Sequence, residues 1–122
     1  IILAGYMRVL TPLFVSHYFG KILNIHPSLL PKFPGLNTHQ KAIDASEKIH
    51  GVSVHFVTEV LDNGPIITQE LVKIEAKDTA KTLSEKVLKK EHVIFPQVIH
   101  WYTQGRLKLI DNYTATLDEK II

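Results

Sequence analysis

The fold is indicated most clearly by residues 21–35, which read KILNIHPSLLPKFPG. Residues 21–26 are largely apolar and become polar at their end, which predicts a buried strand that finishes at Asn24 and His26. Pro27, Pro31 and Pro34 then follow within eight residues and exclude both a helix and a central strand. We therefore predict a strand with a long loop at its carboxyl end.

The rest of the chain alternates between strand and helix patterns around this segment. Apolar or alternating runs predict strands at residues 1–5, 21–26, 51–60, 66–75 and 106–110. Periodic apolar stripes predict helices at residues 12–18 and 38–45, and a third of about 25 residues that Asp78 caps, Pro96 kinks and Gly105 ends. The Asn63-Gly64 pair marks a turn at residues 61–65, which sends the chain back along its neighbouring strand.

This order of elements predicts an α/β fold with a mostly parallel sheet, helices on both faces and a β-hairpin return. We treat residues 1–122 as a single domain. Ligands of open α/β sheets bind beyond the carboxyl ends of the strands. That rule directs attention to Asn24, His26, the proline-rich loop after them and Asp62 in the turn.

Composition excludes several classes of function. The formal net charge is only +2, with scattered basic residues, so neither nucleic acid nor an anionic membrane is an expected partner. The absence of cysteine excludes disulfides, a cysteine-ligated zinc and a thiol nucleophile. No apolar run approaches the roughly 20 residues that a membrane helix needs. The seven histidines show no consistent ligand spacing, so no metal site is predicted.

Four polar residues are candidates for chemistry. Asn24 and His26 lie two apart on a strand, so their side chains point to the same face and could act on one carbonyl group. Asp62 is a third candidate, and His55 in the middle of a strand could orient Asn24 or His26. Each residue also has an ordinary structural explanation: a hydrogen-bonded histidine at a strand end, a turn aspartate, or a buried core histidine.

Three blocks of sequence resemble the folate-dependent glycinamide ribonucleotide formyltransferases. They are residues 24–35 (NIHPSLLPKFPG), residues 50–57 (HGVSVHFV) with 61–65 (LDNGP), and residues 4–10 (AGYMRVL). The resemblance runs from Ile1 to about Asp111 and implies a Rossmann-like formyltransferase fold. Pro27 and the run from Lys32 to Gly35 are more similar to the nucleotide transferases than to methionyl-tRNA formyltransferases or formyltetrahydrofolate hydrolases.

The resemblance implies a reaction and its catalytic residues. The enzyme would transfer the formyl group of its co-substrate 10-formyltetrahydrofolate to the amine of glycinamide ribonucleotide, a step of one-carbon metabolism in purine biosynthesis. Asn24, His26 and Asp62 match the catalytic positions, with His55 in support. The cytoplasmic enzymes of this family imply a cytoplasmic location and no metal.

The resemblance also implies two sets of binding residues. The folate contacts would be Leu3, Met7, Arg8, Leu10, Val15, Ile22, Val57 and Asp62. The nucleotide contacts would be Glu91, Met7 and Ile25, although Leu88 stands where the family often has glutamine. The Leu30–Pro31 peptide is expected to be cis.

The family usually begins with a glycine-rich phosphate-binding loop that this chain lacks. We therefore expect the chain to be the C-terminal part of the enzyme, with the N-terminal phosphate-binding part of the same domain as its missing partner. Two alternatives stay open. One is another formyl enzyme of the same fold, either a hydrolase or a transferase for another amine. The other is a folate-binding module without catalysis.

Overall fold

The structure is a computed structural model that describes residues 1–4, 10–59 and 64–122. Its strands are β1 (Ile2–Ala4), β2 (Leu23–His26), β3 (Ile49–Phe56), β4 (Ile66–Lys73), β5 (Leu107–Asp111), β6 (Thr114–Leu117) and β7 (Lys120–Ile121). Its helices are α1 (Pro12–His17), α2 (Thr38–Asp44) and α3 (Ala80–Thr103). The predicted turn at residues 61–65 and the candidates Met7, Arg8 and Asp62 lie wholly or partly outside the described residues.

The α/β class is confirmed, but the prediction of a mostly parallel sheet is wrong for the described strands. Their main sheet has the order β1-β2-β3-β4, in which β1 and β2 are parallel while β2–β3 and β3–β4 are antiparallel. The sequence pattern did not give the direction of pairing, because alternation with a period of two is the same in parallel and antiparallel strands.

The second error concerns the end of the chain. The strand predicted at residues 106–110 is β5, but it belongs to a separate antiparallel sheet of order β5-β6-β7. Two short strands at residues 114–121 were not predicted, because segments of four and two residues carry too little alternation to be recognised.

The hydrophobic core lies between α3 and one face of β3. Val52, Val54 and Phe56 on that face are completely buried, and they join a cluster that contains Leu83 and Val87 of α3. The opposite face of β3 presents Ser53 and His55, which are also buried. The loop after β2 covers this second face at Ser53, whose hydroxyl bonds the backbone of Ser28 and Leu30.

The ends of α3 follow their local signals, with a shift of one residue at the start. Thr79, not Asp78, is the N-cap, and it forms a reciprocal capping box with Thr82. Asp78 instead accepts a hydrogen bond from Glu75 N–H and pairs with Lys86. At the other end Gly105 follows the C-cap with a φ of 73°, a left-handed conformation that favours glycine.

Candidate active site

Asn24 and His26 lie on one face of β2, beside β3. In the register of the two strands Asn24 is opposite His55 and His26 is opposite Ser53. The period of two along β2 also sends Ile25 to the other face, where it is buried in the hydrophobic core. The predicted common face for Asn24 and His26 is therefore present, and His55 lies on the same side of the sheet.

His55 determines how the Asn24 amide is oriented. The Nδ1 atom of His55 is 2.8 Å from the carbonyl oxygen of Phe56, which can only accept, so Nδ1 carries the hydrogen. The Nε2 atom of neutral His55 then accepts a hydrogen bond from the Asn24 amide nitrogen at 3.2 Å. One amide hydrogen of Asn24 is used in this bond to His55, and the bond fixes the orientation of the whole amide group.

His26 is oriented by the loop that follows it. Its Nε2 atom donates to the carbonyl oxygen of Phe33 at 2.9 Å, and the side chain is 6% exposed. Phe33 has a φ of 51°, which is unusual for a residue with a side chain and which the loop contacts must maintain. The cis peptide expected between Leu30 and Pro31 is present in the same loop.

Two further histidines lie beneath this loop, and sequence reasoning did not select them. His39 Nδ1 is 3.1 Å from His50 Nε2. His50 also bonds the backbone of Pro27, which has only a carbonyl to offer, so His50 donates there and accepts from His39. The two residues are eleven apart in sequence and lie on α2 and β3. A local sequence pattern therefore could not predict their contact.

Burial keeps this pair neutral. The pKa of His50 is lowered to about 4 by burial, and by the neighbouring His39 and His26. Burial and His26 also lower the pKa of His39. Both rings are therefore uncharged near neutral pH, and they act as hydrogen-bonding supports for the start of the loop.

The predicted folate contacts are only partly placed by the described residues. Leu3 and Leu10 are half-buried, whereas Val15 and Ile22 are 2% and 1% exposed and would contribute packing beneath a ligand. The N–H of Val57 donates to the carbonyl of Ile22 at 3.0 Å, so only its carbonyl could bond a ligand.

The predicted nucleotide contacts are also only partly placed. Glu91 is half-buried on α3, and burial raises the pKa of its carboxyl group. Ile25 points into the core, so it could reach a substrate only through its backbone. Within the described part of the chain, no three metal-binding side chains converge on a possible ion site. None of the described helices is long and apolar enough to cross a membrane.

The structure therefore combines an α/β fold with an oriented amide and an oriented imidazole at the end of one strand. Comparison with known protein families gives a match for most of the chain. The chain belongs to the formyl transferase family, whose model matches residues 1–99.

Individual relatives are enzymes of formyl chemistry. The phosphoribosylglycinamide formyltransferase of Escherichia coli is 53% identical over 118 residues, which is 97% of this chain and 55% of that protein. The solved phosphoribosylglycinamide formyltransferase of Coxiella burnetii is 52% identical with a TM-score of 0.93, over 100% of this chain and 57% of that one. A formyltetrahydrofolate deformylase of Pseudomonas syringae is 30% identical with a TM-score of 0.87, over 95% and 39%.

The expected position of the chain within the enzyme is corrected by the family match. Residues 1–99 match the family of N-terminal formyl transferase domains, so the description as a C-terminal part that lacks an N-terminal phosphate-binding part is not kept. An apolar opening strand is found wherever a strand is buried and does not locate a segment in a longer protein. The chain spans about half the length of the formyltransferases it matches.

Proposed function

We propose that this chain supplies catalytic residues for transfer of the formyl group from 10-formyltetrahydrofolate to the amine of glycinamide ribonucleotide. The observation that carries the proposal is the pair at the end of β2, where Asn24 and His26 share one face and each has its own orienting partner. The sequence identity of 52–53% with two phosphoribosylglycinamide formyltransferases supports the choice of substrates.

The chemistry needs donors that meet a developing negative charge. The amine nitrogen attacks the formyl carbon, and the carbonyl oxygen becomes an oxyanion in a tetrahedral intermediate. Asn24 and protonated His26 donate hydrogen bonds to that oxygen, a contribution of roughly 3–4 kcal/mol for each donor. The bond between the formyl carbon and the folate nitrogen then breaks, and the proton lost by the amine goes to that nitrogen.

Asp62 completes the proposed catalytic set. Its carboxylate favours the protonated form of His26, because an opposite charge nearby stabilises the imidazolium. It also helps to move the proton from the attacking amine to the departing folate nitrogen. Replacement of Asp62 by asparagine should therefore lower kcat for formyl transfer.

Binding of the two substrates is assigned to the residues that match the family. Leu3, Met7, Arg8, Leu10, Val15, Ile22 and Val57 are proposed to contact folate, together with the backbone near Asp62. Glu91, Met7 and the backbone of Ile25 are proposed to contact the nucleotide. The proposal includes no metal, and the cytoplasmic location stays a prediction.

The direct test is formyl transfer by the protein as its gene encodes it, with His26→Ala as the variant. Loss of one donor to the oxyanion should lower kcat by about a hundredfold or more. His100→Ala is the matched control, because His100 is exposed near the end of α3. Equal activity of His26→Ala and the control would refute the proposed role of His26.

A second function within the family is hydrolysis of the formyl group. The Pseudomonas deformylase shares the fold, and its 30% identity is well below that of the formyltransferases. Product analysis separates the two reactions, since hydrolysis releases formate without the amine substrate. Tight folate binding without either product would instead favour a binding module.

A further inference from the structure

Two side chains on the strands beneath the loop after β2 form hydrogen bonds to the backbone of that loop. The Ser53 hydroxyl on β3 donates to the Ser28 carbonyl at 2.7 Å and accepts from the Leu30 N–H at 3.1 Å. The Gln69 amide on β4 donates to the Leu30 carbonyl at 3.0 Å and to the Ser53 hydroxyl at 2.9 Å. Ser53 and Gln69 are opposite each other in the register of β3 and β4.

The directions of these four hydrogen bonds follow from the groups involved. A serine hydroxyl has one hydrogen and two lone pairs, and all three are used at Ser53. The Leu30 carbonyl can only accept, so the nitrogen of the Gln69 amide, and not its oxygen, must face the loop. Both hydrogens of that nitrogen are used. No acceptor can take the place of Gln69 without leaving the Leu30 carbonyl unpaired on this side.

The anchored segment is connected to His26 through the rest of the loop. The Ser28 hydroxyl donates to the Lys32 carbonyl at 2.6 Å. The next residue, Phe33, has the left-handed φ of 51° and presents its carbonyl to His26 Nε2. The position of the atom that orients His26 therefore depends on where Ser28 and Leu30 are held.

The ion pair between this part of the loop and its surroundings is weaker than these hydrogen bonds. Lys32 pairs with Glu47 at 3.0 Å, but the lysine side chain is 58% exposed. Exposed ion pairs contribute little, because water and salt screen them. The Ser53 hydroxyl is buried, so its bonds to Ser28 and Leu30 form where competition from water is reduced, and the two bonds of the Gln69 amide are partly buried.

We infer that Gln69 is a positioning residue for His26, acting through Ser53 and residues 28–33. Its role is to hold the loop in the conformation that aims the Phe33 carbonyl at the His26 ring. The structural part of this inference is independent of the reaction, whereas its kinetic consequence rests on the proposed formyl transfer.

The test uses two substitutions of nearly constant size. Gln69→Leu removes both donors, and Gln69→Glu places carboxylate oxygens against the Leu30 carbonyl. The control is Lys73→Leu, which changes an exposed residue on the same face of β4. Gln69 is itself largely exposed, so the variants are expected to fold, and their unfolding midpoints and circular dichroism verify that they do.

The first readout is the nitrogen and proton resonances of the His26 imidazole, followed through a pH titration. In both Gln69 variants we expect a shifted Nε2 resonance, faster exchange of its proton and a changed midpoint, with the control like the wild type. Resonances and titration unchanged in both variants would overturn the inference. This readout does not need turnover, so it stands even if the proposed reaction is wrong.

The second readout is the kinetics of formyl transfer. We expect kcat to fall between about tenfold and a hundredfold in the Gln69 variants, since small displacements of a catalytic group cost that much. KM for both substrates should stay within about twofold, and the pH profile of kcat should move with the titration of His26. An unchanged kcat in an active enzyme would overturn the inference. If the wild type transfers no formyl group, the proposed function fails and the resonances alone decide the role of Gln69.

Discussion

At the scale of single residues, the end of β2 carries two side chains whose orienting partners come from different places. Asn24 is oriented across the sheet by His55, a buried ring with a defined tautomer. His26 is oriented by its own following loop, through the Phe33 carbonyl. The amide therefore depends on strand register and the imidazole on loop conformation, so the two can be disturbed separately.

Replacement of His55 tests the dependence of the amide on register. In His55→Phe the ring volume is kept but Asn24 loses its acceptor, so its amide can rotate away from the position of the oxyanion. We expect kcat for formyl transfer to fall about tenfold, or about 1.4 kcal/mol, with KM nearly unchanged. His100→Phe on the surface is the control for the same exchange. A kcat within about twofold of the wild type would contradict the proposed role of His55.

The sequence could predict part of this arrangement. A period of two along residues 21–26 places Asn24 and His26 on one face, and that prediction needs no knowledge of neighbouring strands. The sequence left open whether His55 contacts Asn24 or His26, because the choice depends on the register between β2 and β3. The contact between Ser53 and Gln69 was not predicted, because a serine and a glutamine on two neighbouring strands form no distinctive sequence motif.

At the scale of elements, the start of the loop after β2 is fastened to α2 and β3 by neutral groups. Thr38 at the start of α2 donates to the Pro27 carbonyl at 2.6 Å, and His50 of β3 bonds the same backbone. The pair of His39 and His50 connects the two elements directly. The bond between His39 and His50 requires His50 to stay unprotonated at Nε2, because that nitrogen is the acceptor.

This fastening predicts a dependence of stability on pH. The pKa of His50 is lowered to about 4 in the folded protein by burial, His39 and His26, against about 6.5 when unfolded. The unfolded state therefore binds the proton more readily below pH 6.5. Above pH 6.5 His50 does not lower the free energy of unfolding. As the pH falls towards 4, proton binding by the unfolded state lowers that free energy by up to about 3 kcal/mol.

The comparison of wild type with His50→Gln isolates this contribution. We expect the difference in free energy of unfolding between the two proteins, measured with urea, to shrink from pH 7 to pH 4.5. His100→Gln is the control, because His100 is exposed near the end of α3. A constant difference for His50→Gln would show that His50 is not held neutral. Glu47 also faces His50 and would reduce the effect.

The elements themselves were predicted well where the signal is local. The cap, length and C-terminal glycine of α3 gave its range to within two residues at each end, because each signal acts within one helical turn. The direction of strand pairing was predicted wrongly, since period-two alternation is the same in parallel and antiparallel strands.

At the scale of the whole molecule, the described strands form two separate sheets with one core between α3 and β3. Beside the small sheet of β5, β6 and β7, Arg106 donates hydrogen bonds to both carboxylate oxygens of Asp118 at 2.7 and 2.8 Å. In the larger sheet, β4 and β1 lie at the two edges among the described strands. The two edges differ in composition, because β1 is apolar while β4 carries Glu70 and Lys73.

The β1 edge predicts self-association of this chain. Ile1 and Ile2 are 46% and 52% exposed, and among the described strands β1 has a neighbour on one side only. An apolar edge strand of this kind is a template for pairing with another chain. Ile2→Lys places a charge on this edge, so we expect the apparent mass in gel filtration at high protein concentration to move toward that of a monomer. Val93→Lys is the control, since Val93 is 67% exposed on α3, away from any strand edge. If both substitutions reduce association equally, general hydrophobicity rather than strand pairing is the cause. If Ile2→Lys alone does so, the free backbone of β1 is the contact, and any strand that pairs there in a longer protein would suppress it.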